Sequence, residues 1–133
     1  MRIAYAMIRV ADIERSIAFY VDTLGMTLFR REDYPTGRFT LAFLGYGAEL
    51  SGATIELTWN WDAQLYDKGT GWGHLALAVG DVVRACGRFE AKGARVVRRP
   101  GPMMHISPQR GDAEMIAFIE DPDGYRIELV QHA

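Results

Sequence analysis

Apolar and polar positions alternate with period two over several stretches, and this strand pattern is twice interrupted by helical spacing. Residues 3–10 alternate, with Tyr5, Met7 and Arg9 on one face and Ala4, Ala6, Ile8 and Val10 on the other. Asp12 is placed to cap a helix in which Ile13, Ile17, Tyr20, Val21 and Leu24 form an apolar stripe, and Gly25 is placed to end it. Strand patterns follow near 26–33, 39–45 and 53–59; in the last, Thr54, Glu56 and Thr58 face away from Ile55, Leu57 and Trp59. After an irregular segment, 60–72, the same order returns. A strand at 73–79 sets His74, Ala76 and Ala78 against Leu75, Leu77 and Val79. A helix capped by Asp81 runs to about Lys92, with Gly93 as its stop. Strands near 95–99, 114–120 and 125–131 complete the pattern, and the Asp121-Pro122-Asp123-Gly124 turn joins the last two.

The two halves are versions of one unit. An offset of 69 residues carries Tyr5 onto His74, Asp12 onto Asp81 and Arg15 onto Arg84, and an offset of 72 carries Glu56 onto Glu128. The chain therefore reads as an α+β fold of two tandem βαβββ modules, about 1–61 and 72–133, within a single domain, 1–133. If the modules pair about a pseudo-twofold axis, they form a concave sheet cleft into which Tyr5, Glu56, His74 and Glu128 project. Two carboxylates in a partly apolar cleft repel each other and shift their pKa values unless a cation or a shared proton compensates. A divalent metal bound by both carboxylates and an imidazole resolves the repulsion and leaves positions open for water or substrate oxygens. The plainer alternative is a pair of half-exposed strand glutamates with ordinary solvated charges.

Composition narrows the class. The 133 residues are 49% hydrophobic and 24% charged, as in an ordinary globular domain. A net charge of −2, with Lys and Arg scattered beyond the short Arg95, Arg98, Arg99 cluster, argues against a nucleic-acid partner. No apolar run reaches the ~18 residues needed to span a membrane. The chain moves from Met1 straight into a strand pattern, which predicts no signal peptide. The one cysteine, Cys86, rules out an internal disulfide and suits a cytoplasmic protein; it shares a helical face with Val82 and Phe89 and reads as a packed core thiol.

Longer stretches carry a resemblance. They are Met7-Ile8-Arg9-Val10, Arg15-Ser16-Ile17-Ala18-Phe19-Tyr20, Leu24-Gly25-Met26, Leu41 to Gly47, Ile55-Glu56-Leu57-Thr58-Trp59-Asn60-Trp61, Gly73-His74-Leu75-Ala76, Ala117-Phe118, and Asp121 to Leu129. In this order the chain resembles the glyoxalase I (lactoylglutathione lyase) family of the vicinal oxygen chelate superfamily. The resemblance implies a divalent metal, nickel, cobalt or zinc, held by a His or Gln on the first strand, a Glu, a His and a second Glu. Three positions match as Glu56, His74 and Glu128. The fourth falls on Tyr5, a departure from the pattern, since a neutral phenol is a weak ligand; Tyr5 stands there as a weak ligand or an aromatic wall. Neither His105 nor His132 is a matched replacement.

The resemblance further implies that the substrate is the hemithioacetal of glutathione and methylglyoxal, with Arg9, Asn60 and Arg98 contacting the glutathione part. Glu128 or Glu56 would move the proton that converts it to S-lactoylglutathione. Pro100–Ala113 would be a lid or a surface loop. The assembly would be a homodimer pairing the first module of one chain with the second of another. Two rivals remain: a superfamily enzyme acting on another alpha-hydroxycarbonyl or thioester, and a metal-free binder stacking an aromatic ligand on Tyr5, Trp59, Trp61 and Trp72. A ring-cleaving dioxygenase would need a two-His, one-carboxylate iron site, of which only His74 is matched.

Overall fold

Hydrophobic period decides the elements, and the computed structural model, which describes residues 1–63 and 65–132, shows them in the repeated order. Gln64, in the irregular segment 60–72, and Ala133, at the end of the second module, lie outside the described residues. The chain divides into two compact units, Met1–Gly69 and Thr70–Ala133. In the first, β1 (Ala6–Arg9) is followed by α1 (Ile13–Ala18), a π-helical turn (Phe19–Thr23), β2 (Thr27–Tyr34), β3 (Phe39–Gly45) and β4 (Thr54–Asn60). In the second, β5 (Leu75–Val79) leads to α2 (Val82–Ala91), β6 (Arg95–Pro102), β7 (Met115–Glu120) and β8 (Arg126–Gln131). The two sheets have equivalent orders, β1-β4-β3-β2 and β5-β8-β7-β6. In each, the first and last strands pair in parallel and the other pairs are antiparallel. The α+β fold of two βαβββ modules is as the sequence predicts.

Matching local chemistry produces the matching elements. Asp12 and Asp81 adopt the same extended backbone, and each side chain accepts from the N–H three residues on, Arg15 at 3.1 Å and Arg84 at 2.9 Å. Gly25 and Gly93 end the helices in the left-handed region, at φ 75° and 96°. Each helix covers one face of its own sheet: α1 lies against β3 and β4, and α2 against β6, β7 and β8. Ile8, Val10, Ile13, Tyr20, Leu44 and Leu57 are buried in the first unit, and Val82, Cys86, Phe89, Ile119, Ile127 and Leu129 in the second. Cys86 is the packed thiol its spacing suggests, and burial pushes its pKa up.

Besides shifts of one or two residues at other strand ends, three extents differ from the sequence reading. β1 is shorter than 3–10, because parallel pairing with β4 starts only at Ala6 opposite Ile55. The first helix does not stay α-helical to Leu24: the Leu24 N–H bonds the Phe19 carbonyl five residues back, at 3.1 Å, opening a π turn in which Tyr20 is fully buried. β6 runs past 99 to Pro102, because a second register break between Arg98 and Gly101 lets the strand resume with Gly101 opposite Ile116. The β6–β7 loop therefore begins at Met103, whose N–H bonds the Glu114 carbonyl at 2.8 Å.

The turn before β8 rests on one buried carboxylate. Asp121, 5% exposed, accepts from the N–H groups of Asp123 at 2.9 Å and Tyr125 at 2.8 Å, while Gly124 takes φ 83°. Asp121→Ala leaves both donors without that partner and is expected to lower unfolding free energy by about 2 kcal/mol. Urea titration should show a lower midpoint at unchanged slope; an unchanged midpoint would contradict the assignment.

Candidate active site

The sheet face away from each helix carries the polar residues singled out by alternation. In the first unit Glu56 on β4 has two register neighbours, Met7 on β1 and Phe43 on β3, and these three side chains share that face. In the second, Glu128 on β8 lies between Ala76 on β5 and Phe118 on β7 in the same way. Just before each parallel edge strand stands a ring. Tyr5 meets Phe43 edge-on, with centroids 5.3 Å apart and planes at 71°; His74 meets Phe118 edge-on at 5.1 Å and 84°. The internal repeat thus extends from strand order to the packing of single side chains.

Electrostatics separates the two carboxylates. Glu56 is 7% exposed, and its Oε1 accepts only a long 3.4 Å bond from the Thr58 hydroxyl among the hydrogen bonds described for it. Burial pushes its pKa above the usual carboxylate range, against the opposing pull of the Thr58 hydroxyl and the Arg30 charge. Glu128 is half-buried, and its Oε2 lies 3.0 Å from His74 Nε2. Imidazole nitrogen and carboxylate oxygen are donor types that suit a divalent cation, and a cation beside Glu56 would relieve its disfavoured charge. Among the described residues, no three His, Cys, Asp or Glu side chains are gathered at metal-holding distance.

The other expected site residues fall as follows. Arg9 is exposed on β1 in register with Thr58, on the Glu56 face. Asn60 ends β4 on the same face, paired with Phe39. Arg98 is occupied by backbone: its guanidinium donates to the carbonyls of Ile116 at 2.9 Å, Pro102 at 2.8 Å, Gly101 at 3.2 Å and Arg99 at 3.5 Å. His105 is exposed in the β6–β7 loop, and His132 lies 3.8 Å from Glu114. Trp59 and Trp61 have the opposite strand parity to Glu56, and the Trp61 indole N–H is bonded to Thr40 Oγ1 at 2.9 Å. Those two indoles are therefore not stacking surfaces on the carboxylate face.

Arg30 was not among the residues picked out by sequence. Each sheet has a bulge one residue before an arginine, between Leu28 and Arg30 in β2 and between Val96 and Arg98 in β6. The bulge turns Arg30 over the Phe43 ring, with Cζ 3.5 Å from the centroid, where Glu49 holds it at 2.7 Å and Glu32 also binds it. The Tyr34 hydroxyl, at 2.6 Å, and then Arg30 hold Glu32 below the usual carboxylate range. Carrying the repeat through β2 and β6 would have paired Arg30 with Arg98 and Phe43 with Phe118, but the bulges break the simple alternation there.

Known proteins resemble this chain along its length. Residues 2–129 match the Glyoxalase/Bleomycin resistance protein/Dioxygenase superfamily. A probable lactoylglutathione lyase of Synechocystis is 53% identical over 131 residues, covering 98% of this chain and 95% of its own length. The lactoylglutathione lyase of Neisseria meningitidis serogroup A is 50% identical over 131 residues, covering 98% of this chain and 91% of its own. The crystal structure of glyoxalase I from Zea mays superimposes with a TM-score of 0.90 at 42% identity, over 99% of this chain; the chain spans 45% of that longer protein. The chain belongs to the glyoxalase I (lactoylglutathione lyase) family of this superfamily, and it is an enzyme of the carbon–sulfur lyase class.

The state of Glu56 has a measurable consequence. Its folded pKa is raised above the unfolded value, so below the unfolded value both states hold the proton and no burial penalty arises. As pH rises through the folded pKa, the folded chain acquires a buried charge and this group's contribution to stability falls. Metal-free Glu56→Gln is therefore expected to gain thermal stability over metal-free wild type as pH rises from below the ordinary carboxylate range through the folded pKa of Glu56. A difference between the two proteins that does not change over that interval would overturn the assignment.

Proposed function

We propose that this chain isomerises the hemithioacetal formed from glutathione and methylglyoxal to S-lactoylglutathione, using a divalent ion (nickel, cobalt or zinc) held by Glu56, His74 and Glu128. The observation that carries the reading is the repeated placement of one carboxylate per unit, each between the same register neighbours and one of them beside an imidazole. High identity over full length to proteins named lactoylglutathione lyases supports the substrate.

The chemistry is a proton relocation with no net redox change. The carbon bearing hydroxyl and sulfur loses its hydrogen, the neighbouring carbonyl carbon gains one, and the hydroxyl proton passes between the two oxygens. A bound divalent cation would supply Lewis-acid stabilisation of charge on those oxygens. Glu128 or Glu56 takes the carbon-bound proton and returns it to the adjacent carbon; a positioned base of this kind typically contributes ~10²–10⁴-fold. Arg9, Asn60 and Arg98 are the proposed contacts for the anionic glutathione part. Arg98 would exchange some of its carbonyl acceptors for a substrate carboxylate, which as a charged acceptor makes the stronger bond.

The enzyme is proposed to act in the cytoplasm, and no described helix is long and apolar enough to cross a membrane. It is proposed to act as a homodimer whose clefts take Glu56 from one chain and His74 with Glu128 from its partner. In support, β1 and β5 are edge strands, and pairing of chains would cover open edges.

Two measurements test these readings. His74→Ala is expected to lose stoichiometric metal in elemental analysis and to lower turnover of the hemithioacetal by ~10²-fold or more; undiminished metal would remove His74 from the site. Mixing Glu56→Ala with Glu128→Ala subunits should restore metal binding at half the sites of the mixed dimers. Confirmed mixed dimers that bind none would place each cleft within one chain.

A further inference from the structure

The two units provide an internal comparison, and at one position they disagree. Ring for ring, Tyr5 stands where His74 stands: each is the residue before a parallel edge strand, each meets a phenylalanine edge-on, and that phenylalanine is the register neighbour of a glutamate. In the second unit the ring brings a nitrogen to 3.0 Å from the carboxylate oxygen. In the first unit the ring brings a phenol, and the carboxylate beside it is buried. A neutral imidazole binds borderline metals directly, whereas a phenol must lose a proton before it binds well.

We propose that Tyr5 determines the metal preference of this enzyme, by withholding the second nitrogen donor that the repeat would otherwise supply. The proposal rests on the metal reading above. The donor set is then two carboxylates and one imidazole, with the fourth repeat-related position filled by an aromatic wall. Each imidazole added to a donor set favours nickel and zinc over harder cations such as manganese. Replacing Tyr5 by histidine therefore shifts selectivity rather than merely strengthening binding. Tyr5 is 45% exposed and a histidine is smaller, so the exchange does not require the core to repack.

The experiment measures nickel and manganese affinities of the dimer by chelator competition in wild type, Tyr5→His, Tyr5→Phe and Glu128→Ala, and records visible spectra of the cobalt-loaded proteins. The expected result is a rise in nickel affinity in Tyr5→His on the order of 10–100-fold, the size at which even supporting groups register. The rise should be larger than any change for manganese, and the cobalt bands should move to shorter wavelength. Tyr5→Phe should match wild type in both affinities and in the cobalt spectrum. A Tyr5→Phe protein that loses affinity would show the phenol to be a ligand and overturn the proposal; so would an unchanged nickel-to-manganese ratio in folded Tyr5→His. Full metal retention in Glu128→Ala would instead overturn the site itself, so the two failures are distinct.

Discussion

The parallel pairing of the first and last strands in each unit is the constraint on which the site depends. Register sets Met7 beside Glu56 and Ala76 beside Glu128, and a slip of one residue would turn each glutamate toward the helix. Parallel pairing also requires a crossover, which α1 and α2 supply, and their caps at Asp12 and Asp81 fix where each crossover begins. Cap, crossover and register thus form one chain of causes. Local hydrogen bonds at two aspartates end by deciding which face two distant glutamates occupy.

Holding a carboxylate at Glu56 has an electrostatic cost, and the first unit meets only part of it. The Thr58 hydroxyl is distant for a hydrogen bond, and the Arg30 charge is shared among Glu32, Glu49 and the Phe43 ring. Glu56 is left with a raised pKa. A cation beside such a carboxylate would supply the charge that the protein withholds.

Much of this was legible in the sequence because it follows from period. Alternation put Tyr5, Met7, Arg9 and Glu56 on one face, and the structure keeps them there; the capping aspartates and Gly25 and Gly93 bounded the helices. What was missed follows from departures from period. The π turn at Phe19–Thr23 inserts a residue into an apparently regular stripe, and the β2 and β6 bulges shift alternation by one just before Arg30 and Arg98. Tyr5 and His74 read as strand residues because they continue the alternation, yet both precede the first paired residue of their strands. Bulges and turns of this kind depend on partner strands, and the pattern of a single strand does not contain them.

The arginines after the bulges show how a repeat acquires two functions from one geometry. Both are turned by the same register break, but their surroundings differ. Arg30 finds two carboxylates, Glu32 and Glu49, and remains a charge on the Glu56 side of its sheet. Arg98 finds a second break in its own strand, where Pro100 and Pro102 carry no N–H and the ladder is interrupted. There the guanidinium, with its five N–H groups, donates to the carbonyls of Ile116, Gly101 and Pro102 together. One arginine therefore tunes the electrostatics of a carboxylate while its counterpart fixes the root of the loop that begins at Met103. The same division appears at the rings, where the second unit has the His74 imidazole and the first the Tyr5 phenol. At these paired positions the two units keep one backbone geometry and differ in side-chain chemistry.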